Sequence, residues 1–105
     1  MFTVLRSTAF DEWLAALKDH KGKARIVARI RSAELGNLGD TKSVGGGVSE
    51  MRVHFGPGYR IYFTRRRLQV IFLLIGGEKS TQAKDIQKAK AMLAELKEPN
   101  DEDEN

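Results

Sequence analysis

Apolar and polar positions alternate through EMRVHFGPGYRIYF, residues 50–63. Met51, Val53 and Phe55 are apolar, and so are Tyr59, Ile61 and Phe63. Glu50, Arg52, His54, Arg60, Tyr62 and, just beyond, Thr64 fall between them. A period of two is the signature of strands with one face in a core. Residues 48–55 and 59–65 are therefore expected to be strands joined at Gly56-Pro57-Gly58. The next run, 68–75, is apolar in both registers, which suits a central strand covered on both faces. Short connections make the three an antiparallel meander.

The spacing changes on either side of this block. Phe10, Trp13, Leu14 and Leu17 recur at helical intervals, so a helix is expected over about 9–19. Ser7 or Thr8 would cap it. His20-Lys21-Gly22 reads as a break. A second helix over about 23–35 would turn Ile26, Val27 and Ile30 inward, with Gly36 ending it. Residues 2–5 read as a first strand, and 36–47, rich in Gly, Asn and Asp, as a loop. Gly76-Gly77 should end the last strand. A final helix from Ser80 or Thr81 to about 97 carries the stripe Ile86, Ala89, Leu93 and Leu96. The order is βααβββα: a small single α+β domain over 1–98, an antiparallel sheet with a helical hairpin and a C-terminal helix. Residues 99–105 read as an acidic, disordered tail.

The hairpin register follows from matching faces. A two-residue turn at Pro57-Gly58 would set apolar positions against polar ones. A three-residue loop pairs Phe55 with Tyr59, Val53 with Ile61 and Met51 with Phe63. It also pairs His54 with Arg60, Arg52 with Tyr62 and Glu50 with Thr64, at roughly 5.5 Å between Cβ atoms.

Composition narrows the class. With 105 residues the chain suits one core, and 41% hydrophobic and 30% charged residues fit an ordinary globular domain. No apolar run reaches membrane-spanning length, and no signal peptide precedes the first strand, so a cytoplasmic protein with no membrane partner is expected. There are no cysteines and only two histidines, His20 and His54, far apart in sequence, which argues against a metal site. No cofactor is expected; Gly45-Gly46-Gly47 lacks the following lysine and helix of a phosphate loop. The formal charge is +4, but the last seven residues hold four acids and no base, so residues 1–98 carry +8. Such a body favours a polyanionic partner.

The polar face of the hairpin is where chemistry is concentrated. Metal-free RNA cleavage needs a base for the 2′ proton, an acid for the leaving 5′ oxygen and cations for the phosphorane. Arg52 and Arg60 suit the phosphate. Glu50 or His54 could be the base, and Tyr62 an acid or a stacking platform. Lys79 precedes the last helix, whose N-terminus favours anions. Arg65-Arg66-Arg67 supplies general phosphate attraction. The plain alternative is a solvated sheet face, with Glu50 paired to Arg52 for at most about 1 kcal/mol.

Several segments together carry a family resemblance: FDEWLAAL (10–17), ARIVARI (24–30), ELGNLGD (34–40), GGGVSEMR (45–52), FGPGYRIYF (55–63) and LLIGGEKSTQAKDI (73–86). Over roughly residues 2–96 the chain resembles the phage-derived, HigB-like addiction-module toxins of the RelE/ParE superfamily. The combination of Glu-x-Arg, Gly-Pro-Gly-Tyr-Arg and Gly-Gly-Glu-Lys-Ser-x-Gln is specific. The resemblance implies a RelE-like fold and the toxin of a type II toxin–antitoxin module. It also implies a metal-independent endoribonuclease that cuts mRNA on the ribosome, and a cognate antitoxin of the helix-turn-helix type. Glu50, Arg52, Tyr59, Arg60 and Lys79 match its motifs. Relatives often carry a late Tyr or His for acid–base work; here the last aromatic is Phe72, so that role passes to Glu50, His54, Tyr62 or Lys79. ParE-type relatives imply the alternatives, a gyrase inhibitor or a non-catalytic module binding nucleic acid or antitoxin.

Overall fold

The computed structural model describes residues 1–96. Strand β1 (Thr3–Arg6) leads into α1 (Thr8–Ala16) and α2 (His20–Glu34). Four strands follow, β2 (Thr41–Gly45), β3 (Val48–Val53), β4 (Tyr59–Arg66) and β5 (Val70–Glu78). A 3-10 turn (Lys79–Thr81) opens the last helix, α3 (Gln82–Leu96). The five strands form one sheet in the order β1-β5-β4-β3-β2. This is the expected α+β domain with its helical hairpin and C-terminal helix. The proposed tail at 99–105 lies outside the described residues.

Local chemistry explains the helix ends. Ser7 Oγ accepts from the Phe10 amide at 2.9 Å and donates to the Leu74 carbonyl at 2.6 Å, so one side chain caps α1 and ties it to β5. Helix α2 starts three residues earlier than expected. Asp19 caps it by accepting from the Gly22 amide at 3.0 Å, so His20-Lys21-Gly22 is the first turn and not a break. A side chain at Gly22 would meet the Tyr59 ring at 2.5 Å. Only glycine lets β4 approach α2 there. Val27, expected inside, is half exposed; Ile26, Ile30 and Ala33 take the inward positions.

The sheet differs from the simple meander in three ways. Residues 41–45, expected within a loop, form an edge strand that pairs Lys42 with Glu50. Its polar side chains hide it from any apolar count, as suits an edge. β1 runs parallel to β5, so the sheet is mixed. Gly76-Gly77 lies within β5 instead of ending it. A Cβ at Gly76 would collide with the Trp13 ring; the glycines clear space for packing on the strand.

Two layers close the sheet. Phe10, Leu14, Ile26 and Ile30 from the hairpin pack on Met51, Ile61, Phe63 and Ile71. On the other face Ala89 and Leu93 of α3 pack on Val48, Tyr62, Leu74 and Ile75. The second layer is decisive for the site, because α3 covers the face that the alternation of β3 and β4 leaves polar.

Candidate functional site

The β3–β4 hairpin keeps the expected faces but slides by two residues. Val53 pairs with Tyr59, Arg52 with Arg60, Met51 with Ile61, Glu50 with Tyr62 and Ser49 with Phe63. The loop is residues 54–58, not three residues. Phe55 N–H donates to the Val53 carbonyl and Gly58 N–H to the Phe55 carbonyl, with Gly56 and Gly58 at positive φ. These tight local bonds take His54 and Phe55 out of the ladder. A slide of two preserves every face, so face matching alone cannot detect it. The expected neighbours His54–Arg60 and Arg52–Tyr62 are replaced by Arg52–Arg60 and Glu50–Tyr62.

Glu50 is fully buried. Its Oε1 accepts from Arg52 Nε at 3.1 Å and from Arg60 Nη1 at 3.2 Å, and its Oε2 accepts from Gln82 Nε2 at 2.7 Å. A buried carboxylate is tolerated when it is paired and hydrogen-bonded in this way. It is not available as a general base on a wet surface. One carboxylate between two guanidiniums leaves one net positive charge. The Arg52 side chain is 31% exposed and Arg60 11%, so Arg52 is the more open to an anion. Gln82 was not among the expected site residues. It closes the Gly-Gly-Glu-Lys-Ser-x-Gln motif, and that was the available signal.

Tyr62 lies fully buried beside Glu50. Its hydroxyl meets no partner at good hydrogen-bond geometry among the described residues; the Glu50 carboxylate acts on it by charge and by a poorly aligned hydrogen bond. Burial first, then the Glu50 charge, pushes its proton affinity well above the ordinary tyrosine range. It neither stacks on a base nor gives up a proton near neutral pH. Arg60 Nε is the other buried polar atom with no partner among the described residues.

The remaining expected residues scatter. The His54 side chain is 73% exposed, and its Nε2 lies 2.6 Å from Asp40 Oδ2. That hydrogen bond is the main reason the Asp40 carboxyl sits below its usual range. Lys79 is exposed at the end of β5, with its amide on the Gly58 carbonyl at 2.8 Å. It stands three residues before Gln82, and its backbone meets Gly58, two residues from Arg60. The α3 end beside it already has its own carboxylate, Asp85, which accepts from Thr81 Oγ1. Arg65–Arg67 lies at the far end of the β4–β5 hairpin, about 20 Å from Arg60 by strand rise. There the Arg65 guanidinium covers the Phe2 ring at 5.1 Å. The structure thus gathers Glu50, Arg52, Arg60 and Tyr62, keeps Lys79 nearby, and separates His54 and the arginine turn.

The family model described as phage derived protein Gp49-like (DUF891) matches residues 12–97. The chain belongs to this family. It is also 48% identical over 87 residues to an uncharacterized protein of Haemophilus influenzae, covering 83% of this chain and 88% of that one. The matched span of the Gp49-like chain contains Glu50, Arg52, Arg60, Lys79 and Gln82. No helix among its described residues is long and apolar enough to cross a membrane.

Proposed function

We propose that the chain is the toxin of a type II toxin–antitoxin module, HigB-like within the RelE/ParE superfamily. It acts on mRNA at the ribosome as a metal-independent endoribonuclease and is neutralised by a cognate antitoxin. Membership of the Gp49-like family is consistent with a toxin at a general level. The observation that carries the reading is the Arg52–Arg60 pair, directly opposed across two strands and held by one buried carboxylate.

The chemistry follows from that arrangement. The 2′ oxygen attacks the neighbouring phosphorus, the bond to the 5′ oxygen breaks, and the fragment ends in a cyclic phosphate. Two preorganised guanidiniums with one excess charge stabilise the phosphorane as negative charge grows. Glu50 holds the arginines in place, a positioning role. Proton transfer falls to Lys79, the exposed group at the end of β5, since His54 is separated from the pair and hydrogen-bonded to Asp40.

Primer extension on mRNA from cells expressing the chain tests this. Codon-phased cuts are expected, and Arg52→Ala or Arg60→Ala should abolish them while the protein stays folded. Intact transcripts during growth arrest would overturn the cleavage reading. A second reading, a gyrase inhibitor or non-catalytic binding module, draws on the burial of Glu50 and Tyr62, which removes two proton-transfer groups from the surface. It predicts inhibited supercoiling with RNA unharmed.

A further inference from the structure

A second cationic surface lies on the α2 face of the sheet, opposite the face where α3 covers the buried carboxylate. It is a groove of about 430 Å³ between α2 and the exit of β3, bordered by Arg25, Arg29, Asp40, Arg52, His54 and Phe55. Volumes of this order take small organic ligands. Three features define its chemistry. The Arg25 guanidinium sits 4.9 Å from the centroid of the Phe55 ring, a cation over a partly buried aromatic. Arg29 is anchored by neutral groups: Nε donates to the Arg52 carbonyl and Nη2 to the Asp40 carbonyl, both at 3.3 Å. Neither Arg25 nor Arg29 has a carboxylate within salt-bridge distance among the described residues. The one acid of the groove, Asp40, is hydrogen-bonded to His54 and also feels the charges of Arg52 and Arg29.

Arg25 and Arg29 together outweigh the single carboxylate, Asp40, that acts on this groove, and the surplus positive charge attracts an anion. A planar cation over an aromatic ring offers a stacking surface to a base. An acidic peptide would use the charge but not the ring. We infer that this groove binds one nucleotide of single-stranded RNA, the base against the Arg25–Phe55 pair and the phosphate toward Arg29. Arg52 borders both the groove and the Glu50 cluster, so the RNA strand would pass from one to the other around the end of β3. The choice of RNA rests on the function proposed above; the groove and its charge do not.

Fluorescence anisotropy of the purified full chain with a labelled single-stranded RNA 12-mer tests the assignment. Phe55→Ala should weaken binding about tenfold or more, the range of losing one stacked base. Phe55→Tyr should restore it. Because Phe55 also touches the core, Arg25→Gln provides the independent variant: weaker binding and a log–log salt slope reduced by about 0.7. Wild-type affinity and salt slope in both Phe55→Ala and Arg25→Gln, with unchanged circular dichroism, would overturn the proposal. A polyglutamate peptide bound in place of RNA, with equal affinity for wild type and Phe55→Tyr or Phe55→Ala, would also overturn it. The two readings fail separately. Uncut transcripts in cells together with RNA binding that depends on Phe55 would sink the nuclease and keep the groove. Codon-phased cuts with groove variants that bind normally would do the reverse.

Discussion

Under α1 and α2 the sheet is closed mainly by apolar side chains, Phe10, Leu14, Ile26 and Ile30 against Met51, Ile61 and Phe63, with the Tyr59–Asp19 hydrogen bond at the margin. Under α3 half of the closure is similar, with Leu93 and Ala89 on Val48 and Leu74. The other half is a carboxylate, two guanidiniums and a phenol. Both layers are buried, yet they are held by different forces. The hairpin face gains stability from area removed from water. The α3 face spends part of that gain on desolving charge, and what it obtains is a fixed geometry for Arg52 and Arg60. Where a small domain keeps ions under a helix, geometry and not stability is the better explanation of why they are there.

This contrast can be broken from either side. The largest effect should come from the apolar face: Phe10→Ala is expected to cost about 4 kcal/mol, read as a lower urea midpoint with normal RNA affinity for whatever fraction stays folded. Glu50→Ala should cost about 3 kcal/mol, because it strands two guanidiniums under α3, and it should also impair mRNA cutting. If the cost is under about 1 kcal/mol, the carboxylate is not the organiser of the pair.

Gly22→Ala sharpens the comparison by its sign. In an ordinary helix it would stabilise by about 0.5–1 kcal/mol; against the Tyr59 ring it should destabilise by about 2 kcal/mol. Tyr62→Phe should be the mildest change, neutral or stabilising by up to about 1 kcal/mol, since the hydroxyl is buried with no well-aligned partner among the described residues. Growth arrest should survive it. Loss of toxicity in a well-folded Tyr62→Phe would return Tyr62 to the reaction.

A pH scan of wild type beside Tyr59→Phe isolates the hairpin face. Burial, then the 2.7 Å hydrogen bond to Asp19, raises the Tyr59 pKa to about 12. The unfolded chain loses that proton near 10 while the folded chain keeps it. Stability from this group is therefore full below about pH 10 and is lost as pH rises toward about 12. Urea midpoints for wild type and Tyr59→Phe should differ less at pH 11.5 than at pH 9. Asp19 works in the opposite direction: its lowered pKa, due first to the Gly22 amide, gives stability that is present above the usual aspartate value and fades as pH falls below it.

Much of the architecture could be read from periodicity. The stripe Phe10–Leu14 and the stripe Ala89–Leu93 named the two helical layers, and the alternation of β3 and β4 named their faces. Three things resisted. The strand at 41–45 has no apolar pattern, because an edge strand is held by backbone bonds. The slide of the hairpin keeps inside and outside unchanged, so it surfaces only in which polar groups meet. The burial of Glu50 depends on Gln82, which lies 32 residues away in sequence and reaches it from another element. The site was legible as a set of residue types and illegible as a network, since a network is fixed by partners distant in sequence. The basic groove was missed for the same reason: Arg25 meets Phe55 only after α2 has docked on β3.

Because β1 lies beside β5, the first strand made must wait for the last. Ser7 and Leu74, joined by a hydrogen bond, are 67 positions apart, and closing so long a loop is slow to be rewarded by contacts. Gln82 comes later still. During synthesis, then, β1 has no neighbour in the sheet and Glu50 lacks its third partner until nearly the whole chain has left the ribosome. A chain released early from a broken message carries Arg52 and Arg60 but lacks the completed sheet and the Gln82 contact that set their geometry.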